Sequence, residues 1–362
     1  MRVKSHRVTF SSVVLLIVLL CSALLLGLCY LSMYVNPADF WPAAVFTIIE
    51  FPAAIVNIAL LLFTILRRSR FFWIPLVALV PFLFIADKQF KFSGRQDDGS
   101  PSGDTLTIIS YNVGGFRLPR NGRKGADCVP ATRQETLETL SGYDTDILCF
   151  QEFSIASLDS LPLLMEEYFD GYDYKYYFGN NDNVYSGNLT ISRFPIKSSG
   201  VERFKQSSNL ALYNDIDIGG RIIRVYNCHF QSYSISTAGL IKSMVEDKQV
   251  ARRTGERVRG SILKRPKQVG QVLDNVRNSP NEALICGDFN DTPMSYTYNT
   301  LVKGRKDTFS EAGSGFAATY SRLWPLLRID YVFVPGFFSV VSHETPHLEF
   351  SDHYPVMAVL KY

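Results

Sequence analysis

The 362-residue chain has six cysteines but no pair at zinc-site spacing and no disulfide framework. Cys21 and Cys29 lie in an apolar stretch, Cys149, Cys228 and Cys286 in strand-like runs, and Cys128 in a polar loop without an obvious partner. All six read as free thiols, most of them acting as small buried hydrophobes. That excludes a zinc-stapled or disulfide-stapled scaffold and leaves the redox compartment open. Histidine is scarce, with five in the chain, and His6, His343 and His347 stand in no polar cluster and read as surface or interface residues. A net excess of positive charge is missing from most of the chain. Residues 1–90 carry 7 Lys/Arg against 3 Asp/Glu, so of the total net charge of +3 the remainder holds −1. The bulk electrostatic footprint of a nonspecific nucleic-acid binder is therefore absent from that remainder.

Apolar residues are plentiful, at 47% with mean hydropathy +0.05, and they are concentrated near the N-terminus. Phe10 to about Val35 is one nearly unbroken run, Phe40 to Leu66 a second, and Phe71 to Ala86 a third that contains Pro75 and Pro81. A bilayer crossing takes about 20 residues. The first run exceeds a signal-peptide core and a second follows closely, which favours an anchor over a cleaved leader. Residues 1–91 thus read as an integral, multi-pass membrane anchor of two or three transmembrane helices. Arg2, Lys4 and Arg7 precede the first run and Arg67, Arg68 and Arg70 follow the second, while Asn36-Pro37-Ala38-Asp39 between them has no basic residue. Cytoplasmic loops collect Lys and Arg, so both basic clusters belong inside. Three spans and an extracytoplasmic C-terminal domain are expected; a third run that does not span leaves that domain in the cytoplasm. Glu50, beside Pro52, reads as a protonated or helix-paired carboxylate. Residues 92–104 have linker composition, and 105–362 form the remaining domain.

Within that domain, apolar strand-like runs end repeatedly in polar residues. Ser110-Tyr111-Asn112 follows Leu106–Ile109, Gln151-Glu152 follows Asp146–Phe150, and Asn227-Cys228-His229 follows Ile222–Tyr226. Gly287-Asp288-Phe289-Asn290 follows Ala283–Cys286, Arg328-Ile329-Asp330 leads Tyr331–Val334, and Ser351-Asp352-His353 leads Tyr354–Leu360. Buried strands read as continuous apolar runs, and polar groups at their ends converge at one edge of a sheet. A chain that needed only a core has little reason to end strand after strand in Asn, Glu, His and Asp, so these clusters predict one shared site. Around Phe289 an extended chain would project Asp288 and Asn290 to the same side.

The order Asn112, Glu152, His229, Asp288/Asn290, Asp330, Asp352/His353 resembles the endonuclease/exonuclease/phosphatase superfamily, which includes deoxyribonuclease I-like enzymes. The resemblance covers roughly Asp104 to Tyr362. It implies an α/β (α+β) fold: a four-layer sandwich of two mixed β-sheets flanked by helices, here preceded by transmembrane helices. It also implies a metal-dependent hydrolase of phosphoester bonds, using Mg²⁺ with Mn²⁺ as a substitute. Asn112, Glu152 and Asp352 would face the metal, a hard ion that prefers one or two carboxylates plus waters. Asp288 would orient or deprotonate the attacking water, and Asn290 would donate to phosphate. His353, held by Asp330, would contact phosphate, and His229 would protonate the leaving group. The expected substrate is a phosphodiester of nucleic acid or a phospholipid headgroup, with the lipid bilayer as the other partner. A phosphomonoesterase or a non-catalytic scaffold of the same fold are the alternatives, and no protein partner is inferable.

Other features carry less. Lys242 to Lys267 holds nine Lys/Arg against three acids, a polyanion or anionic-lipid contact, or a solvated helix. A helix is expected to begin around Pro266, with Val269, Val272, Leu273 and Val276 as its core stripe. Tyr172, Tyr174, Tyr176 and Tyr177 read as a strand with a half-buried face. Arg193 reads equally as a site neighbour or a structural ion pair.

Overall fold

The computed structural model describes residues 9–92, 104–118, 128–181, 184–232 and 248–362. Residues 93–103 of the expected linker lie outside the described residues, as do Arg2, Lys4, His6 and Arg7 and the start of the basic stretch at 242–247. The chain divides into two compact units, the first being residues 1–87 with Met294–Tyr296.

In the first unit, α1 (Phe10–Ser32) and α2 (Ala43–Leu66) are both long and apolar enough to cross a membrane. Ala53 and Ala54 of α2 pack with Leu26 and Cys29 of α1, small residues that let the two backbones approach. Asn57 Nδ2 donates to Ala53 O at 2.9 Å and across to Ser22 O at 3.3 Å. Glu50 is fully buried within α2. The third apolar run forms no helix of spanning length among the described residues. It folds as α3 (Trp73–Leu79) and a tight turn at Pro81–Phe84. Pro81 withholds the backbone donor that would continue the α-helix, and the apolar helical stretch Trp73–Phe84 falls short of the bilayer's ~20 residues.

The second unit begins at Lys88, inside the segment assigned from sequence to the anchor. Its first strand, β1 (Phe90–Lys91), pairs with β11 (Gly315–Phe316). Lys91 Nζ donates to Ser310 O at 2.5 Å, which binds this segment to the body of the second unit. Strands β2 (Thr105–Asn112), β3 (Ile147–Ile155), β4 (Asp173–Asn181), β5 (Val184–Ser192), β13 (Ser339–Glu344) and β14 (Val356–Lys361) form one sheet in the order β13-β14-β2-β3-β5-β4. Strands β6 (Ile196–Arg203), β7 (Leu210–Ile218), β8 (Arg221–His229), β9 (Glu282–Asp288), β10 (Arg305–Asp307) and β12 (Asp330–Pro335) form the other, β10-β12-β9-β8-β7-β6. Both sheets are mixed: β2–β3 and β8–β9 run parallel and their neighbours antiparallel.

The sheets stack face to face through Ile108, Ile147, Cys149, Val225, Leu284, Cys286, Val332 and Val356. On the outer face of the first sheet, α4 (Val129–Ser141) and α5 (Ser160–Tyr168) bury Leu137, Leu140, Leu161 and Met165 against Tyr111 and Phe150. On the other, α6 (Lys248–Asn278) buries Val269 and Val272 against Tyr226 and Ile285. The result is the four-layer sandwich that the resemblance implies, and its central strands, covered on both faces, need no polar alternation.

Several local expectations differ. Helix α6 starts at Lys248, well before Pro266, which lies inside it. The run of arginines around residues 252–259 is exposed, so that part of the helix carries no apolar stripe to read. Cys128 is buried, its Sγ donating to Phe116 O at 3.6 Å. All six cysteines are free thiols. Arg193 forms a structural ion pair with Asp144 and Asp146.

His343, expected at the surface, is 8% exposed, because the short helix Thr308–Ala312 covers it. Its Nδ1 meets Thr308 Oγ1 at 2.8 Å. Burial, reinforced by the Arg328 guanidinium, pushes its pKa down to about 3. The unfolded imidazole titrates near ~6.5, so this depressed group contributes stability that is complete above that pH. That stability is lost as pH falls from ~6.5 towards the folded value, at roughly 1.4 kcal/mol per pH unit. Relative to a His343→Gln variant, the wild-type thermal midpoint should therefore fall steadily from pH 7 to pH 5. Parallel midpoint profiles would refute the buried neutral imidazole.

Candidate active site

The residues singled out at the strand ends meet at one edge of the sandwich. Asn112 ends β2 and Glu152 lies in β3, whereas His229 ends β8, Asp288 ends β9 and Asp330 opens β12. Register does the assembly in the second sheet, where Asp288 is the ladder partner of both His229 and Asp330. Gly287 permits this alignment. At φ +130° it sits where a Cβ would come 1.9 Å from Cys228 O, so only glycine lets β8 and β9 bring His229 and Asp288 side by side.

Asp288, Asp330 and His353 form the buried centre, at 1%, 1% and 7% exposure. His353 Nδ1 is 2.9 Å from Asp330 Oδ2, and its Nε2 faces Asp288 Oδ2 at 3.9 Å. Burial opposes the imidazolium, but Asp330 and Asp288 outweigh it and lift the His353 pKa to about 10. Asp288 is pushed up to about 6, by burial first and by Asp330 second, against the pull of His353 and His229. At neutral pH the centre therefore holds an ionised Asp288 beside an imidazolium whose Nδ1–H donates to Asp330 and whose Nε2–H only faces Asp288.

Asp288 is held from three directions. Its Oδ2 accepts from Asn112 Nδ2 and Asn290 Nδ2, both at 2.9 Å, and its Oδ1 accepts from the Asn290 backbone N–H at 2.8 Å. Asn290 does lie on the same side as Asp288, but not along an extended chain. Its φ is +52°, a left-handed turn that folds it back onto the carboxylate, while Phe289 packs among Phe230, Tyr331 and Phe333. Asn290 Nδ2 also donates to Phe230 O at 3.0 Å, so both of its amide hydrogens are committed.

His229 Nε2 is buried and makes no hydrogen bond among the described residues. It points between Glu152 Oε1 at 3.5 Å and Asp288 Oδ2 at 3.7 Å. A polar atom in that condition is available to a substrate oxygen. Glu152 has 43% side-chain exposure and faces the opening. Asn112 presents Nδ2 to Glu152 Oε1 at 3.4 Å, and its Oδ1 accepts from Gly114 N–H at 3.0 Å. A Cβ on Gly114 would meet Asp352 Oδ1 at 3.4 Å, so Asp352 borders the turn after Asn112. Asp352 Oδ2 lies 3.3 Å from Arg322 Nε.

The donor chemistry decides where a divalent cation fits. The ligand-capable atoms of Asp288, Asp330 and His353 lie within 4.8 Å of one another, but His353 Nδ1 and Asp330 Oδ2 already engage each other at 2.9 Å. Glu152 is an accessible carboxylate beside Asn112, and Asp352 borders the turn after Asn112, oxygen donors of the kind a hard ion prefers.

Tyr320 and Arg322 have no strand-end signal in the sequence. The Tyr320 ring packs on His353 at 5.3 Å and Ser321 N–H donates to Asp352 O at 2.9 Å, so this loop forms the rim beside His353. On the far side of the site, Arg265 of α6, 2% exposed, pairs with Asp291 at 2.9 Å and donates Nε–H to Gln231 O at 2.9 Å. It thereby clamps the chain just beyond His229 and just beyond Asn290.

Comparison with known proteins agrees with this architecture. Residues 109–353 match the model of the Endonuclease/Exonuclease/phosphatase family, and residues 11–88 match a domain of unknown function (DUF8431). No curated protein sequence matches the chain. Among solved structures, the human Nocturnin catalytic domain with bound sulfate anion is 17% identical with TM-score 0.52, over 71% of this chain and 94% of that one. A D. rerio TDP2 humanized by 14 mutations is 17% identical with TM-score 0.51, over 71% and 99%. At such identities the likeness is one of fold.

Proposed function

The chain belongs to the endonuclease/exonuclease/phosphatase family of phosphoester hydrolases, and we propose that it is a membrane-anchored, Mg²⁺-dependent phosphodiesterase acting on nucleic acid or a phospholipid headgroup. The observation that carries this reading is the convergence, from both sheets, of a buried Asp288–His353–Asp330 centre, an unbonded His229 nitrogen and an accessible Glu152.

A phosphodiester resists hydrolysis because its anionic oxygens repel the nucleophile. When bound by Glu152, with Asn112 and Asp352 beside it, Mg²⁺ supplies neutralisation of that charge. Asp288, ionised at neutral pH, takes a proton from water as the water oxygen bonds to phosphorus. Asn112 and Asn290 fix that carboxylate by the three hydrogen bonds described. His353 holds its Nε2 proton towards the phosphate oxygens, and Asp330 keeps it charged. His229 delivers an Nε2 proton to the ester oxygen as the P–O bond breaks, giving a phosphomonoester and an alcohol.

Chelation should abolish turnover of bis(p-nitrophenyl) phosphate by the detergent-solubilised chain, and Mg²⁺ or Mn²⁺ should restore it. Unchanged turnover in EDTA would contradict metal dependence, and turnover confined to p-nitrophenyl phosphate would select a monoesterase.

The anchor reading rests on α1 and α2. With two spans and Arg67, Arg68 and Arg70 on the cytoplasmic side, the catalytic unit lies in the cytoplasm. A topology reporter fused after Ser102 should report the cytoplasm; an outside signal would overturn that orientation.

A further inference from the structure

Glu152 owes its direction to a bulge. Between Phe150 and Phe153, two residues of β3, Gln151 and Glu152, face the single Asn188 of β5. Such an insertion bends a strand and re-aims a side chain. Glu152 sits there at φ +53°, a left-handed conformation that a glutamate keeps only where its surroundings enforce it.

The enforcement comes from the opposite sheet. Asn227 of β8 is fully buried. Its Nδ2 donates to Phe150 O and Leu189 O, both at 3.1 Å, the facing pair at the lip of the bulge. Its Oδ1 accepts from Gln151 Nε2 at 2.8 Å, and its backbone oxygen accepts from Asn188 Nδ2 at 2.9 Å. Both other residues of the bulge are thus tied to one asparagine, and Glu152 is the one whose side chain turns outward. Val113 N–H donates to Gln151 O at 3.0 Å, which joins the bulge to the turn after Asn112. Two residues beyond Asn227, the same strand ends in His229.

We infer that Asn227 is a positioning residue that props the β3 bulge open and so aims Glu152 at the divalent cation. The inference rests on Glu152 as the metal-holding carboxylate. Asn227 touches neither metal nor substrate and acts through hydrogen bonds that fix a ligand's direction, the kind of support whose loss costs metal affinity. An apolar or shorter side chain at 227 leaves the Gln151 amide and the Phe150 and Leu189 carbonyls to find other partners, while the bond from Asn188 to the 227 backbone stays, and the strained Glu152 backbone relaxes.

The test is calorimetric titration of Mn²⁺ alone into the detergent-solubilised full chain, with Glu152→Ala as the blank. Asn227→Ser should weaken the Glu152-dependent Mn²⁺ affinity by about 10–100-fold. Val225→Ala removes buried volume from the same strand and controls for general destabilisation, so it should lower the thermal midpoint and leave Mn²⁺ affinity unchanged. Wild-type affinity in Asn227→Ser, or an equal loss in Val225→Ala, would overturn the inference. If Asn227→Ser does not yield folded protein, Gln151→Met removes the donor to Asn227 Oδ1 from the other side and is read in the same way. Mn²⁺ binding that survives in Glu152→Ala would remove the ligand reading by itself. Amide hydrogen exchange at Glu152 and Phe153 then decides the prop: faster exchange in Asn227→Ser supports it, and unchanged exchange overturns it.

Discussion

Asp288→Asn is expected to lower kcat by about 10²–10⁴-fold while leaving the thermal midpoint unchanged or raised. The substitution keeps the shape but removes the one group in the centre placed to accept the water proton. The stability sign follows from the raised pKa of about 6. A carboxylate that titrates higher in the folded state than the unfolded value near ~3.9 is folded most favourably when protonated, and stability falls as pH rises between the two values. At neutral pH the wild type therefore carries a burial cost on the order of 2–3 kcal/mol that the amide relieves. Both Asp288 oxygens accept hydrogen bonds, so the amide N–H group of the variant faces a donor and offsets part of that gain. A residue retained for packing would behave oppositely, with a lower midpoint and kcat falling only in proportion to unfolded protein. Stability and turnover moving in opposite directions is the behaviour of a strained functional site.

Asp330→Asn should cost activity most at high pH. His353 is lifted to about 10 despite its burial, chiefly by Asp330 and then Asp288. In the wild type the imidazolium persists through the neutral and mildly alkaline range, and the alkaline limb of the rate profile lies near its raised pKa. Without the Asp330 charge, burial prevails and the limb moves down towards neutrality. We expect about a 10²–10³-fold loss at pH 9 and a smaller one at pH 6, read from kcat across pH 5–10. The stability linkage has the matching sign: stability from the raised histidine is complete below ~6.5 and is lost as pH rises towards the folded value. A pH-independent loss in Asp330→Asn would show that the aspartate orients the ring without charging it.

The strands and the site were legible in the sequence to different degrees. Strand-terminal Asn112, His229, Asp288 and Asp330 could be found because each adjoins a largely apolar run at the core of a strand covered on both faces, so a polar end stands out. His353 was legible through its neighbours, since Asp and His flank the start of β14. Asn290 was found, but its left-handed turn was not, because alternation in sequence assumes an extended backbone. The bulge at Gln151-Glu152 was invisible, as only pairing with β5 shows that two residues face one. Asn227 looked like one more polar strand end, and its role depends on a sheet distant in sequence. His343 lacked any local signal of burial, because the helix that covers it comes from residues 308–312. The exposed start of α6 carries charge without apolar periodicity, which hid some eighteen residues of helix before Pro266. Tyr320 and Arg322 reach the site through a loop, where neither periodicity nor spacing points to a location.

The most direct test is metal-dependent hydrolysis by the full-length chain of DNA, RNA, sphingomyelin vesicles, phosphoinositide vesicles and simple phosphate esters, with Asp288→Asn as the blank. Mg²⁺-dependent cleavage of a phosphodiester in that panel, absent from the variant, is the predicted result. Equal turnover by wild type and Asp288→Asn, or turnover of monoesters alone, would contradict it.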